Sequence, residues 1–185
     1  AGQRAFGENY IQEAVEKMAA LRELPIEWHC IGPVQSNKTR LVAENFHWMH
    51  TVDRLKIAQR LSEQRPAGIP ALQVCLQVNV DGGANKSGVQ PGEVLELARS
   101  VATLPRLKLR GLMSIPEPAP DFVATCALFM RVKALFDGLN AEGLGLDTLS
   151  MGMSTDLEAA IHSGSTMVRV GTAIFGGRTR PISSA

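Results

Sequence analysis

Neither sign of charge prevails in this sequence, and it contains no long apolar run. Lys and Arg number 19 against 18 Asp and Glu, so the formal net charge is +1. No basic stripe interleaved with aromatic residues is present, which argues against direct binding of nucleic acid. No apolar run approaches the roughly 20 residues that span a bilayer. The sequence also has no basic segment followed by a short apolar one, the pattern of a secretory signal peptide. We therefore expect neither nucleic acid nor a membrane as a partner.

Cysteine is also scarce. The sequence has three, Cys30, Cys75 and Cys126, which stand far apart and form neither a CxxC pair nor an even set. This usage suits a reducing compartment, and we expect the three to be small buried hydrophobic residues. The predicted location is cytoplasmic.

The chain has the composition of an ordinary globular domain. Of its 185 residues, 45% are hydrophobic and 20% are charged. A chain of this length can bury roughly 70% of the surface that it exposes when unfolded. Neither a low-complexity linker nor an internal repeat divides it, so we predict a single domain over residues 1–185.

Short β-rich runs alternate with amphipathic stretches along the sequence. The runs predict seven strands, at residues 4–7, 27–32, 48–52, 72–80, 107–115, 146–151 and 167–175. Such alternation indicates parallel strands, in either an open doubly wound sheet or a closed (β/α)8 barrel. A complete barrel has about 250 residues, so a chain that starts at the second strand of a barrel would have about this length. We favour the barrel, and the open sheet is the alternative.

Two glycine-containing turns follow the last two predicted strands. Between them lies a helix, for which Thr155 and Glu158 predict a capping box and Gly164 a C-terminal stop. The two turns are therefore expected on the same rim. Free backbone N–H groups there, with the hydroxyls of Ser154 and Thr172, would cradle a phosphate. Alternatively, the glycines only permit tight turns.

Two residues inside predicted strands are candidates for ligand contact. Arg169 alternates with two valines, so its side chain is expected to point into the barrel. Its acceptor there is either a ligand nitrogen or carboxylate, or a carboxylate of the barrel such as Asp147. His29 has no partner at metal-ligand spacing, and we expect a hydrogen-bonded core histidine. We predict no metal site.

Five segments of the sequence carry a family resemblance: FGENYIQE, WHCIGPVQSNK, GLMSIP, SMGMSTDLEAAI and VRVGTAIFG. Together they resemble the YggS/PROSC family of pyridoxal 5′-phosphate-binding homeostasis proteins. The resemblance implies a (β/α)8 TIM barrel of the alanine racemase N-terminal domain type. It also implies pyridoxal 5′-phosphate as cofactor, joined to a lysine at the end of the first strand. By resemblance that strand, its helix and the lysine would lie upstream of Ala1, so no catalytic residue is expected in this chain.

Site residues carry over from the resemblance by motif. Ser154, Gly171 and Thr172 would hold the phosphate, Arg169 would face the pyridine nitrogen, and Asn9 would lie near the cofactor ring. The implied function is vitamin B6 homeostasis, in which the protein carries or buffers pyridoxal phosphate and passes it to apoenzymes without established catalysis. Two alternatives stay open: an amino-acid racemase that uses the same cofactor, and a barrel enzyme for a phosphorylated sugar or flavin.

Overall fold

The fold places seven parallel strands side by side in chain order. A computed structural model describes residues 2–83 and 87–177. The strands are β1 (Ala5–Glu8), β2 (Glu27–Cys30), β3 (Trp48–Val52), β4 (Leu72–Gln77), β5 (Leu107–Met113), β6 (Thr148–Met153) and β7 (Met167–Arg169). Each strand pairs in parallel with the next along the chain. All seven predicted strands are therefore present, although several end earlier than predicted.

Helices follow the strands, as the sequence pattern predicts. They are α1 (Ile11–Ala20), α2 (Thr39–Asn45), α3 (Leu55–Gln64), α4 (Val94–Ala102), α5 (Phe122–Ala141), α6 (Leu157–His162) and α7 (Thr172–Phe175). Short 3-10 turns at Ser36–Lys38 and Pro91–Glu93 precede α2 and α4. The last predicted strand was wrong at its end, because α7 begins where a continuous strand was expected.

The main hydrophobic core lies between the strands and the surrounding helices. In α5 the buried side chains are Phe129, Val132, Phe136 and Leu139, which recur at helical spacing. They pack in one continuous cluster with buried apolar residues of the strands, such as Leu149. The helices are therefore held on the outside of the sheet by apolar burial, and the inner face of the sheet is free for other groups.

The inner face of the strands carries a second, smaller cluster and several polar side chains. Trp48, Cys75 and Met113 form that cluster, and Met167 packs against it. Barrel interiors are more often filled by branched aliphatic residues in layers. Here the buried polar residues include His29, which is 4% exposed. All buried side-chain nitrogen and oxygen atoms in residues 2–83 and 87–177 have hydrogen-bond partners.

The sheet curls into a near-closed barrel. Within the described residues, β1 pairs only with β2 and β7 pairs only with β6, so a seam separates the first strand from the last. The predicted α/β barrel is confirmed, with seven parallel strands in order around it. Because the strands are parallel, all of their carboxyl ends open at one mouth.

Candidate functional site

A cavity of about 710 Å³ opens at the mouth formed by the carboxyl ends of the strands. Residues at or near the ends of five consecutive strands line it: Ile31, Thr51, Gln77, Ile115 and Met153. Ligand sites for small molecules have volumes of about 300–1,000 Å³, so the mouth is large enough for one. In (β/α)8 barrels this is also the face that carries the active site.

The two glycine turns meet at one side of this mouth. The Oγ of Ser154, which follows β6, accepts hydrogen bonds from the backbone N–H of Gly171 at 3.3 Å and of Ala173 at 3.2 Å. The structure therefore joins the two turns directly, in the first turn of α7. Thr172 is the first residue of α7 and is exposed on the same rim. Ser154 thus holds N–H groups that point toward one spot at the mouth.

Gly171 has open space beside it. A Cβ atom built on Gly171 would have no protein atom within 4 Å, and its φ of −119° is accessible to any residue. Neither packing nor backbone conformation therefore demands a glycine in the described structure. A ligand group that approaches this backbone closely would demand one.

Two glycines with positive φ bound α6, the helix between the turns. Gly152 has a φ of +94°, and a Cβ there would lie 2.5 Å from the Cβ of Ala160, so only glycine fits. Gly164, with a φ of +92°, ends the helix as predicted. Its N–H donates to the carbonyl of Ile161 and that of Ser165 donates to Ala160, which together form a Schellman motif.

The predicted capping box at the start of α6 was wrong. The helix begins at Leu157, and Asp156 occupies the N-cap position in place of Thr155. The Oδ1 of Asp156 accepts the backbone N–H of Met153 at 2.6 Å, and the N–H of Asp156 donates back to the carbonyl of Met153. This reciprocal pair tightens the loop that carries Ser154, which explains why the helix starts one position later.

Arg169 points into the barrel, as strand alternation predicts. Its Nη1 donates to the Oγ of Ser150 at 2.7 Å and its Nη2 to the carbonyl oxygen of Ser114 at 3.1 Å. The alternative prediction, that Asp147 accepts from Arg169, was wrong, because the Asp147 carboxylate pairs with Arg110 at 2.8 Å instead. Burial lowers the pKa of the Arg169 guanidinium to about 10, where it remains cationic at neutral pH.

Two buried histidines lie behind Arg169. His29 is hydrogen-bonded in the core, as predicted: its Nδ1 lies 2.9 Å from the Nε2 of His50, and its ring stacks on Trp48 with centroids 5.2 Å apart. The Nδ1 of His50 lies 2.8 Å from the Oγ of Ser150. Burial lowers the pKa of His29 and lowers that of His50 well below 6.5. Both rings are therefore neutral at neutral pH.

Sequence reasoning missed His50 and Ser150 as neighbours of the site. A signal was available, since His50 alternates with Trp48 and therefore lies on the same face of the strand. Nothing in the sequence indicates that Ser150, 100 residues away, is its partner. Such a contact depends on which strands face each other across the barrel.

Asn9 follows β1, at the far edge of the sheet from Arg169. It is exposed at the mouth, and its backbone passes so close to Gly32 that a Cβ there would lie 2.1 Å from the carbonyl oxygen of Asn9. The contacts within residues 2–83 and 87–177 do not join Asn9 to Arg169 or to Ser154. The structure brings together Ser154 and Gly171, with Thr172 adjacent, and Asn9 follows the strand at the other border of the seam.

The described part of the chain contains no group of three or more His, Cys, Asp or Glu residues arranged to hold a metal ion. None of its helices has the length and apolar character needed to cross a membrane.

The site and the barrel together define a class of protein. A near-closed parallel α/β barrel has, at its carboxyl-end mouth, two N–H groups of the last turn that converge on a hydroxyl of the turn before it, and a guanidinium held at the end of the last strand. In barrels, the turns after the last strands are the usual place for a phosphate group. This chain is an α/β barrel with a candidate anion site at its mouth.

Comparison with known proteins identifies the family. Residues 1–179 match the family described as alanine racemase, N-terminal domain. The pyridoxal phosphate homeostasis protein of Pseudomonas aeruginosa is 64% identical over 178 residues, which cover 96% of this chain and 76% of that protein. The protein of the same name from Escherichia coli K12 is 56% identical over 181 residues, covering 96% and 77%. The chain belongs to the alanine racemase N-terminal domain family, among the pyridoxal phosphate homeostasis proteins.

A solved structure supports the same placement. PipY of Synechococcus elongatus, determined with PLP bound, superimposes with a TM-score of 0.85 at 38% identity. The match covers 95% of this chain and 82% of PipY. The resemblance inferred from the five sequence segments is therefore confirmed.

Proposed function

We propose that this protein binds pyridoxal 5′-phosphate at the mouth of its barrel and serves the homeostasis of that cofactor. The observation that carries the proposal is the cradle, in which Ser154 gathers the N–H groups of Gly171 and Ala173 beside the guanidinium of Arg169. The named relatives and the PLP-bound PipY structure supply the identity of the ligand.

The residues present fit the proposed ligand. A phosphate dianion would be held by Ser154, Gly171 and Thr172, because backbone N–H groups and hydroxyls stabilise negative charge. The open space beside Gly171 permits close approach of phosphate oxygens to the backbone. Arg169 would face the pyridine nitrogen, and Asn9, after β1, would lie near the ring. When bound, pyridoxal phosphate supplies a reactive aldehyde on an electron-withdrawing ring.

Arg169 determines how that ring is held. A guanidinium can donate hydrogen bonds but cannot accept them, so it pairs with an unprotonated pyridine nitrogen. Its positive charge also disfavours a proton on that nitrogen, since two cations in contact repel. An unprotonated ring is a weaker acceptor of electrons, which suits racemisation or mere carriage of the cofactor better than chemistry that depends on the ring as a strong electron acceptor. We propose that the protein buffers the cofactor and hands it to apoenzymes.

We place this activity in the cytoplasm. Cys30, Cys75 and Cys126 carry free thiols, which suits a reducing compartment. Burial raises the pKa of the Cys30 and Cys75 thiols to about 12, so neither is a reactive thiolate at neutral pH. These two cysteines therefore contribute to packing.

Removing the Ser154 hydroxyl should weaken binding of the cofactor. We expect Ser154→Ala to raise the dissociation constant for pyridoxal phosphate about tenfold, because one hydrogen bond to a charged group is lost. The N–H groups of Gly171 and Ala173 also lose the hydroxyl to which they donate. Equilibrium dialysis with absorbance detection measures the dissociation constant. Thr103→Ala, which removes a hydroxyl bonded to Ser100 at the end of α4, should bind like the wild type. Equal affinities for wild type and Ser154→Ala would contradict the cradle assignment.

A second measurement separates carriage from catalysis. The protein loaded with pyridoxal phosphate is incubated with L-amino acids in deuterated water, and deuterium at Cα is measured by mass spectrometry. We expect no exchange above that given by free pyridoxal phosphate at the same concentration. Faster exchange, lost in Arg169→Ala, would show that the protein is an enzyme.

A further inference from the structure

A continuous line of hydrogen bonds crosses the barrel interior from the mouth to the opposite end. Starting at the mouth, Arg169 contacts Ser150 at 2.7 Å, and Ser150 contacts His50 at 2.8 Å. His50 then contacts His29 at 2.9 Å, and the Nε2 of His29 lies 2.9 Å from the carboxylate of Glu27. We call these five residues the polar chain. Its members come from β2, β3, β6 and β7, so the interior of the barrel is built around it.

The two ends of the polar chain fix the direction of every hydrogen bond in it. A guanidinium only donates, and an ionised carboxylate only accepts. His29 must therefore carry its proton on Nε2 to donate to Glu27, and its Nδ1 accepts from the Nε2–H of His50. The Nδ1 of His50 then accepts from the hydroxyl of Ser150, whose oxygen accepts from Arg169. Each of the four hydrogen bonds contains one hydrogen atom. In every one the donor is the residue nearer Arg169 and the acceptor is the residue nearer Glu27.

We propose that Ser150, His50 and His29 are positioning residues for Arg169, and that Glu27 at the far end of the barrel sets the direction of the bonds that hold the guanidinium. The proposal rests on the proposed function, because the group positioned is the one assigned to the pyridine nitrogen. Ser150 gives its own proton to His50, so its oxygen is free to accept Nη1 alone. A change at Glu27 would thereby reach the ligand site through three intervening side chains.

Charged and titratable groups surround the polar chain on all sides. His47 faces His29 from the segment before β3, and Cys75 faces Arg169 from β4. Arg110 of β5 and Asp147, just before β6, pair with each other near the same end as Glu27. That pairing leaves Glu27 as the acceptor that terminates the polar chain.

Glu27, at the amino-terminal end of the strands, is therefore the residue where the direction of the hydrogen bonds in the polar chain can be reversed without disturbing the core. The side chain of Glu27 is 49% exposed, so substitutions there are tolerated by packing. In Glu27→Lys the terminal group can donate but cannot accept. His29 would then move its proton from Nε2 to Nδ1, and His50 would do the same. Ser150 would accept from both His50 and Arg169.

The first test measures the histidine tautomers by ¹⁵N NMR of histidine-labelled protein. In the wild type we expect His29 and His50 both as Nε2–H tautomers. In Glu27→Lys we expect both as Nδ1–H tautomers. Glu23→Lys makes the same change of charge at a side chain that is 87% exposed and outside the chain, and should leave both tautomers as in the wild type. An Nδ1–H tautomer at either ring of the wild type would overturn the proposal.

The second test measures pyridoxal phosphate affinity of the same proteins. We expect Ser150→Ala to raise the dissociation constant about tenfold, because one hydrogen bond to the charged guanidinium is lost. Glu27→Lys should raise it by less than that, because Ser150 then still accepts from Arg169 but shares its oxygen with His50. Glu23→Lys should bind like the wild type. So should Ser163→Ala, which removes a buried hydroxyl bonded to the carbonyl of Cys126.

The outcomes of the two tests separate the inference from the proposed function. Tautomers that switch in Glu27→Lys while affinity stays unchanged would overturn the positioning role and leave the proposed function intact. A wild type that binds no pyridoxal phosphate would overturn both, since Arg169 would then have no pyridine nitrogen to face. Switched tautomers with weakened binding support the proposal.

Discussion

Replacing Gly111 by alanine is expected to lower the free energy of unfolding by at least about 3 kcal/mol, at the upper end of what overpacking costs. A Cβ on Gly111 would lie 1.7 Å from the carbonyl oxygen of Thr148 and 2.7 Å from its carbonyl carbon. Both are backbone atoms, so no side-chain rotation relieves the clash. The only relief is to separate β5 from β6 at the point where Gly111 and Thr148 are register partners.

Urea unfolding, followed by circular dichroism, measures this effect. Gly138→Ala is the matched control, because Gly138 lies inside α5 with nothing within 4 Å of a Cβ there. Since alanine favours a helix over glycine, Gly138→Ala should raise the free energy of unfolding by about 0.5–1 kcal/mol. If Gly111→Ala unfolds at the same urea concentration as the wild type, the close approach of these two strands is wrong.

Acid is expected to destabilise the protein through the buried histidines, before its carboxylates titrate. Burial lowers the pKa of His29 and of His50 from 6.5, whereas the same residues titrate normally in the unfolded chain. Below pH 6.5 the unfolded chain therefore binds more protons than the folded one, and stability falls as the pH falls. For His50, whose pKa is lowered well below 6.5, the loss over the first pH unit below that value is about 1 kcal/mol, and His29 adds to it.

The sign and origin of this effect can be checked separately. Stability from urea unfolding should be constant above about pH 7.5, one unit above the ordinary histidine pKa of 6.5, and should decline below it. His50→Gln should reduce the slope by about one proton's contribution, about 1.4 kcal/mol per pH unit. Added salt should change the slope little, because the cause is burial and salt screens exposed charges. Stability that rises on acidification would contradict neutral, buried histidines.

The sequence predicted the strands well because each one is a local pattern. The run Trp48–Val52 was expected and observed with the same ends, since an apolar β-rich run there is flanked by polar residues. The cradle was also predictable, because the ends of consecutive parallel strands must meet at one rim. The start of α7 was not, since Val170 and Ile174 favour a strand and the helix depends on Ser154, far back in the chain.

The polar chain could not be predicted for a different reason. His29 and His50 each look like an isolated polar residue in a strand, and Ser150 is one small polar residue near the end of the strand predicted at 146–151. Their meeting depends on the curvature of the sheet, which brings β3 and β6 face to face across the interior. Periodicity gives the side of the strand on which a residue lies, but not which residue stands opposite.

The seam between β1 and β7 restricts the kind of strand that could pair with both of them. Both bordering strands run in the same direction, so a strand that continues the parallel sheet between them would run that way too and pair on both sides. Proline in its middle would break one of the two ladders. The carboxyl end of such a strand would emerge at the mouth, with the end of β1 and Asn9 on one side and Arg169 on the other. The last side chain of a strand in that position would therefore lie at the same mouth as Arg169.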